Sequence, residues 1–362
     1  MFEVISVNHL AQRIMNRFKI QHQCALHFDD CFILVKSNSK PLIQRIQKYY
    51  HAFVVEKYVL PVMEIIVCEG KPLSLKTSLH IKTPDLGKTK IKEEFVDLSD
   101  GRLVRKILTG MEFLFNKDIS LAVGACLKHS NQVVNFINNR YIQRRLNSGC
   151  CLLHASAIEQ NNQGVALCGF SGAGKSTLAL HLMSQGVNFV SNDRLMISKY
   201  QDGLKMFGVA KLPRVNPGTL LNNKDLATVM PKTDRKKFAH LPTEELWNLE
   251  HKYDVSVADI FGSERFKLSS PMKMLVILNW KRGWKIFQAK RVNLKNREDL
   301  WPAFMKDAGL FYQPDHASYF SKFATSQAYL NHLKQCTVYE FSGAVDFEQA
   351  VDFILKKLKP RT

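Results

Sequence analysis

Gly169-Phe170-Ser171-Gly172-Ala173-Gly174-Lys175-Ser176 matches the phosphate-binding pattern G-x-x-x-x-G-K-[ST] at every position. Gly169, Gly172 and Gly174 allow a tight turn in which successive N–H groups converge on phosphate oxygens. The Lys175 ammonium can reach β- and γ-phosphates, and the Ser176 hydroxyl can ligate Mg²⁺. Gly169, Ser171, Gly172, Ala173, Gly174, Lys175, Ser176 and Thr177 are thus the candidate nucleotide-contacting residues. The chemistry they suit is binding of a nucleoside triphosphate with Mg²⁺.

Phosphoryl transfer also needs an acid near the phosphates. The apolar run Met274–Leu278 ends in Asn279-Trp280 and supplies none. The nearer run Val187–Val190 leads to Asp193, 18 residues after Lys175. One helix and one returning strand fill that gap, which brings Asp193 beside the phosphate site. His154 precedes Lys175 by 21 residues, on a strand that a hairpin folds back toward the loop. A histidine on a strand is by itself more often structural than functional.

The motifs around Leu153-His154-Ala155, Gly169–Leu180 and Gly186–Arg194 resemble the HPr kinase/phosphorylase family. Lys211-Leu212-Pro213-Arg214-Val215-Asn216-Pro217-Gly218-Thr219-Leu220-Leu221 is similar to the HPr kinase-related group called kinase B. The likeness is good over residues 150–225, weak towards the C-terminus and absent before about residue 130. It implies a P-loop kinase core like the ATP-binding domain of phosphoenolpyruvate carboxykinase, with ATP and Mg²⁺ as cofactors. It implies Asp193 as general base and metal-linked carboxylate, Lys175 on the transferring phosphates, Ser176 on the metal, and His154 tuning Asp193. It raises Arg214, flanked by Pro213 and Pro217, as a group that stabilises transferring charge; the alternative is an arginine that caps a turn or pairs with a surface acid. Two departures stand out. Asn192 occupies the first position of the family's Asp-Asp pair, and Gly208–Lys211 holds no acid where a second metal-linked carboxylate aligns. Both weigh against reverse phosphorylase activity and against HPr as acceptor.

Local patterns name the elements that must position these groups. Val165–Cys168 reads as a buried strand, and Thr177–Met183 as a helix ended by Gly186. Strand, glycine-rich loop and helix N-terminus together form an anion site. Cys151–Glu159 and Gly164–Cys168 flank the turn Gln160–Gln163, as in a hairpin. Leu195–Ser198 and Met274–Leu278 read as strands, Asp234–Asp259 as a charged excursion, and Asp346–Leu358 as an amphipathic helix. Trp247 and Tyr253 lie among Glu244, Glu245, Glu250, His251, Lys252 and Asp254, either an acceptor surface or a mixed-charge cap. Residues 148–362 form the expected P-loop kinase domain. Residues 1–147 form an α/β region with no assignable chemistry: strands at Cys31–Val35 and Val62–Val67, helices at Pro41–Phe53 and Gln132–Leu146, and a loop at Thr83–Lys92.

The chain has 362 residues, 46% hydrophobic and 23% charged, as in globular proteins. No apolar stretch reaches the roughly 18 residues of a membrane span. The N-terminal residues do not read as a secretory signal. Eight cysteines without a C-x-x-C pair suit a reducing cytoplasm. The adjacent Cys150 and Cys151 read as two residues of a strand. No Cys/His metal cluster is visible. The net charge of +19 favours an acidic phosphoacceptor, protein or small molecule. Nucleic acid is disfavoured because no helicase-like motif series or aromatic-rich basic groove accompanies the charge. A GTPase is disfavoured because Asn223-Lys224-Asp225-Leu226 has its acid one position early for N-K-x-D. The expected function is phosphorylation of a hydroxyl, on a protein Ser/Thr or a small molecule, by a kinase able to form homo-oligomers. The alternative is a nucleotide-binding regulator or ATPase without transfer, distinguished by an Asp193 that is dispensable.

Overall fold

The computed structural model describes residues 6–60, 62–73, 78–84, 89–201, 203–249, 251–314 and 325–359. It is a mixed α/β chain with two compact units, Met1–Asn147 with Ala308–Tyr319, and Ser148–Asp307 with Phe320–Thr362. The segment Ala308–Tyr319 thus clusters with the N-terminal unit, although it lies inside the span expected for one C-terminal domain.

The N-terminal unit is built on β1 (His22–Phe28), β2 (Cys31–Ser37), β3 (Val54–Val55), β4 (Val62–Glu69) and β5 (His80–Ile81). It continues through β6 (Glu93–Leu98), β7 (Gly101–Lys106), β8 (Glu112–Phe115) and β9 (Ser120–Gly124). Their order in one sheet is β3-β1-β2-β4-β9-β8-β7-β6-β5. Helix α1 (Val7–Met15) buries Val7, Leu10, Ala11 and Ile14 against Cys68, Leu103, Leu114 and Leu121 of that sheet. Helix α2 (Lys40–Tyr49) starts where Ser39 accepts the Leu42 N–H, and a separate 3₁₀ turn, His51–Phe53, follows it. The sequence pattern had merged the two. The loop expected at Thr83–Lys92 is irregular where described, with residues 85–88 outside the described residues.

Helix α3 (Ser130–Asn147) buries Val133, Phe136, Ile137, Tyr141 and Ile142, the expected apolar set. It buries Arg140 as well. That guanidinium lies 4.1 Å from the Phe115 ring centroid and donates to Gln143 Oε1 at 3.0 Å and to the Phe311 carbonyl. Burial pushes Arg140 down to about 9.

In the second unit the strands are β10 (Cys151–Leu153), β11 (Ala155–Gln160), β12 (Gln163–Gly169), β13 (Asn188–Ser191), β14 (Leu195–Tyr200) and β15 (Gly203–Phe207). After these come β16 (Arg214–Val215), β17 (Tyr253–Asp254), β18 (Ser269–Leu278), β19 (Phe287–Arg291) and β20 (Thr337–Gly343). The main order is β10-β14-β15-β18-β12-β11-β13, with β20 also on β18 and β19 on β20. The long β18 joins the two halves. Its first residues pair antiparallel with β15, and its later ones parallel with β12 and β20. All of β12 after Gln163 is buried, as suits a strand covered on both faces. Helix α4 (Lys175–Ser184) buries Leu178, Ala179, Leu182 and Met183. The C-terminal helix, Phe347–Leu358, is capped by Asp346, which accepts the Gln349 N–H.

One expectation is corrected. Cys151–Glu159 is not a single strand carrying His154: it divides at His154 into β10 and β11. The His154 N–H donates to the Phe304 carbonyl at 2.8 Å, so it takes no part in the ladder, and Met305 bridges to Leu153. The segment at Phe304–Met305 takes the backbone partner that a continuous strand would have used.

The eight cysteines are free thiols, seven of them buried. Burial pushes Cys24, Cys68, Cys151 and Cys336 up to about 12, which keeps them protonated and unreactive at neutral pH. Among the described residues no helix is long and apolar enough to cross a membrane.

Candidate active site

Strand β12 ends at Gly169, level with Leu278 at the end of its parallel neighbour β18. Ligands of open α/β sheets gather beyond such carboxyl ends. The chain turns through Phe170–Gly174 and enters α4. Gly169, Gly172 and Gly174 have φ of 154°, 79° and 89°. A Cβ on Gly169 would lie 2.9 Å from the Leu278 carbonyl oxygen, and one on Gly174 2.8 Å from the Phe347 ring. Gly174 caps α4 without any side-chain hydrogen bond, so the first amides of the helix remain available to an anion. The Trp280 indole N–H holds the loop from below, donating to the Ala173 carbonyl at 2.8 Å.

Lys175 is buried and turns back over the loop, donating to the carbonyls of Gly169 at 2.7 Å and Phe170 at 3.2 Å. Burial pushes its ammonium below the ordinary lysine range. Ser176 Oγ donates to Asn192 Oδ1 at 2.5 Å, and Ser156 Oγ donates to the same oxygen at 2.9 Å. Thr177 shares a 2.8 Å hydrogen bond with Thr219, whose N–H and hydroxyl both bond Asn216 Oδ1. Asn216 in turn caps α5 (Pro217–Leu221).

Asp193 lies on a second junction, between β13 and β14. Leu153 faces Leu195, and Ala157 faces Ser191, in one common register. Between those pairs, residues 154–156 and 192–194 face each other without ladder pairing. Asp193 has φ of 68°, a left-handed conformation that non-glycine residues seldom adopt. Ser191 fixes this turn: its hydroxyl donates to the Arg194 carbonyl and accepts the Val209 N–H at 3.0 Å. Strain held in this way is concentrated at functional sites.

His154 Nε2 is 3.2 Å, and Lys306 Nζ 3.8 Å, from the same oxygen, Asp193 Oδ1. Burial pushes the Asp193 carboxyl up, but the His154 hydrogen bond and the charges of Lys306, His154 and Arg194 outweigh it. The carboxyl is held well below the usual carboxylate range.

His154, Lys175, Ser176, Asn192, Asp193 and Arg214 all line one cavity of about 370 Å³. The structure therefore brings the residues singled out in the sequence into one place. Arg214 also makes an exposed ion pair with Asp254 at 3.0 Å, the pairing with a surface acid that the alternative reading expects. Trp247 and Glu250 cannot be placed: the Trp247 side chain and Glu250 lie outside the described residues. Tyr253 donates to Asp234 Oδ2 at 2.6 Å. Lys306 was not read from the sequence, and Lys211 and Lys252 were named there only within a motif and a charged stretch, not as residues of this cavity. Each comes from a different stretch of chain. The carboxylate missing after β18 has a neighbour in Glu340 on β20, but Arg297 holds it at 2.5 Å and Asn279 at 2.7 Å.

A second cavity, of about 620 Å³, shares Ser171, Gly172, Gly174 and Thr177 with the first and extends to Trp280, Phe347, His181 and Arg282. His181 stacks on Phe347 at 5.5 Å, and Trp280 meets Phe347 edge-on at 5.2 Å. The loop thus separates a basic, polar cavity from one with an aromatic wall.

No family model matches the chain. No curated protein sequence matches it either. Among solved structures, an HPr(Ser) kinase/phosphatase from Coxiella burnetii is matched at 11% identity over 57% of this chain and 87% of that one. The TM-score is 0.27, a slight likeness that says nothing for or against the kinase B group.

Proposed function

We propose that the chain is an ATP- and Mg²⁺-dependent phosphotransferase acting on a hydroxyl, with an HPr kinase-like core. The observation that carries this reading is the convergence on one cavity of Lys175, Ser176, Asn192, Asp193 and His154. The triphosphate lies along the loop, its oxygens taken by the amides of 171–177 and by Lys175 once that ammonium leaves the loop carbonyls. The nucleoside occupies the aromatic-walled cavity. Mg²⁺ takes oxygen ligands and keeps several waters. The neighbouring oxygens of Ser176 and Asn192, with the carboxylate of Asp193, fit that preference. When bound, the metal supplies neutralisation of the phosphate charge.

In the transfer, the acceptor oxygen bonds to the γ-phosphorus. The bond from that phosphorus to the β–γ bridging oxygen breaks, and ADP leaves with the electron pair. Asp193 accepts the acceptor's proton. A carboxylate held this low is a weak base, so most of the acceleration comes from positioning and charge stabilisation. His154 and Lys306 hold the carboxylate in place, and Arg214 stands at the cavity wall beside the transferring charge.

The same low carboxyl favours a second reading, a nucleotide-binding regulator or ATPase that does not transfer. Labelled ATP separates the two. Purified protein with Mg²⁺ and lysate is expected to label one acceptor, and Lys175→Ala and Asp193→Ala to label none. ATP binding that needs Lys175, with no transfer and no effect of Asp193→Ala, would establish the regulator instead.

A further inference from the structure

The first cavity holds more positive charge than a triphosphate site accounts for. Lys175 belongs to the loop, Arg214 is offset by Asp254, and Lys306 lies against Asp193. Lys211 and Lys252 also line the cavity. Among the described residues neither has a carboxylate within ion-pair distance. Lys211 lies on the stretch that follows Gly208, and a Cβ on Gly208 would meet the Val190 carbonyl oxygen at 2.0 Å. That close packing seats Lys211 at the end of β13, on the Asp193 side of the cavity. It is only partly exposed, and burial pushes its ammonium down, so its charge is costly with nothing bound. Asp193 and Asp254 act on Lys211 from beyond ion-pair distance and do not cancel that cost, and ammonium groups left in a concave site without a paired acid recruit an anion.

Building on the phosphotransferase reading, we propose that the acceptor is a small alcohol bearing a phosphomonoester, its phosphate held by Lys211 and Lys252 and its hydroxyl presented to Asp193. Two ammoniums without acids match the two charges of a phosphomonoester better than the single charge of a carboxylate. The cavity, about 370 Å³ and shared with the terminal phosphates of the nucleotide, limits the acceptor to a few carbons.

The test is calorimetric titration of the full chain, saturated with Mg²⁺ and a non-hydrolysable ATP analogue. The probes are glycerol 3-phosphate, glycerate, glycerol and an acidic serine peptide. Glycerol 3-phosphate is expected to bind in the millimolar range or tighter, glycerate roughly tenfold more weakly, and glycerol not at all. Lys252→Ala, an exposed change, and Lys211→Ala should each weaken the phosphate probe by about tenfold or more while the analogue still binds. Glycerol 3-phosphate that binds no better than glycerol, a peptide that binds more tightly, or two alanine variants that bind the probe as the parent does would each overturn the proposal. Failure of the analogue itself to bind would overturn the nucleotide reading, and is seen in the first titration before any probe is added.

Discussion

His154 Nε2 and Asp193 Oδ1 stand 3.2 Å apart across a gap in one antiparallel ladder. The pairs that bracket the gap, Leu153 with Leu195 and Ala157 with Ser191, share one register, and an irregularity after Ala157 shifts the next pair to Ile158 with Phe189. The chain therefore leaves the ladder for three residues on each strand and meets it again at Ala157, just before that shift. Both side chains come from strand junctions, where the backbone turns to partners outside the ladder, His154 N–H to the Phe304 carbonyl and the Arg194 carbonyl to the Ser191 hydroxyl.

This pair predicts a pH signature. The carboxyl of Asp193 is held low in the folded protein, so transfer is expected to persist well below neutrality. Removing the hydrogen bond with His154→Ala raises the carboxyl towards its ordinary value near 4, and the acid limb of the pH–rate profile should move up. The sign for stability is the same. A depressed carboxyl contributes stability that is present above about pH 4 and lost as pH falls through the folded value. Asp193→Asn should remove the acid limb and lower transfer about 10²-fold or more.

Lys175→Ala should weaken Mg²⁺–ATP binding by roughly 10- to 100-fold, the range of a lost charged hydrogen bond. Because burial lowers this ammonium, affinity in the parent should begin to fall at an alkaline pH below that of an ordinary lysine. Binding isotherms measured across that range check both points.

The loop glycines should differ in cost. Gly172→Ala meets nothing within 4 Å and bears only its left-handed φ of 79°, roughly 1–2 kcal/mol. Gly169→Ala must also displace the Leu278 carbonyl on the neighbouring strand, so denaturant unfolding should show it to be the more destabilising.

Arg140→Ala tests the N-terminal unit. It empties the space over Phe115 and leaves the Phe311 carbonyl without its donor. A loss of about 2 kcal/mol or more is expected from urea unfolding. Burial lowers the proton affinity of this guanidinium, so burying its charge opposes folding at neutral pH.

Much of the site was written locally. The apolar run before Gly169, the glycines, Lys175-Ser176 and the helix formers after them lie within one strand–turn–helix unit, so short-range periodicity and turn chemistry were enough to read it. The same holds for Val187–Val190 and its exit to Asp193. His154 was noted from its spacing to Lys175 but gained a role only through a resemblance, and it was placed on a continuous strand because nothing near it in sequence reveals that Phe304 takes its partner.

What tertiary structure alone decided is the electrostatics. Asp193 is a low carboxyl because His154 hydrogen-bonds it across the ladder gap and Lys306 arrives from a distant segment, and the cavity is basic because Lys211 and Lys252 converge on it from separate stretches. The aromatic wall of Trp280, Phe347 and His181 arises in the same way, from three elements far apart in the chain. The amino-acid sequence determined which residues could bind phosphate, since backbone turns depend on neighbours. Which charges share a cavity depends on distances through space, and only the packing of β12, β13 and β18 sets those.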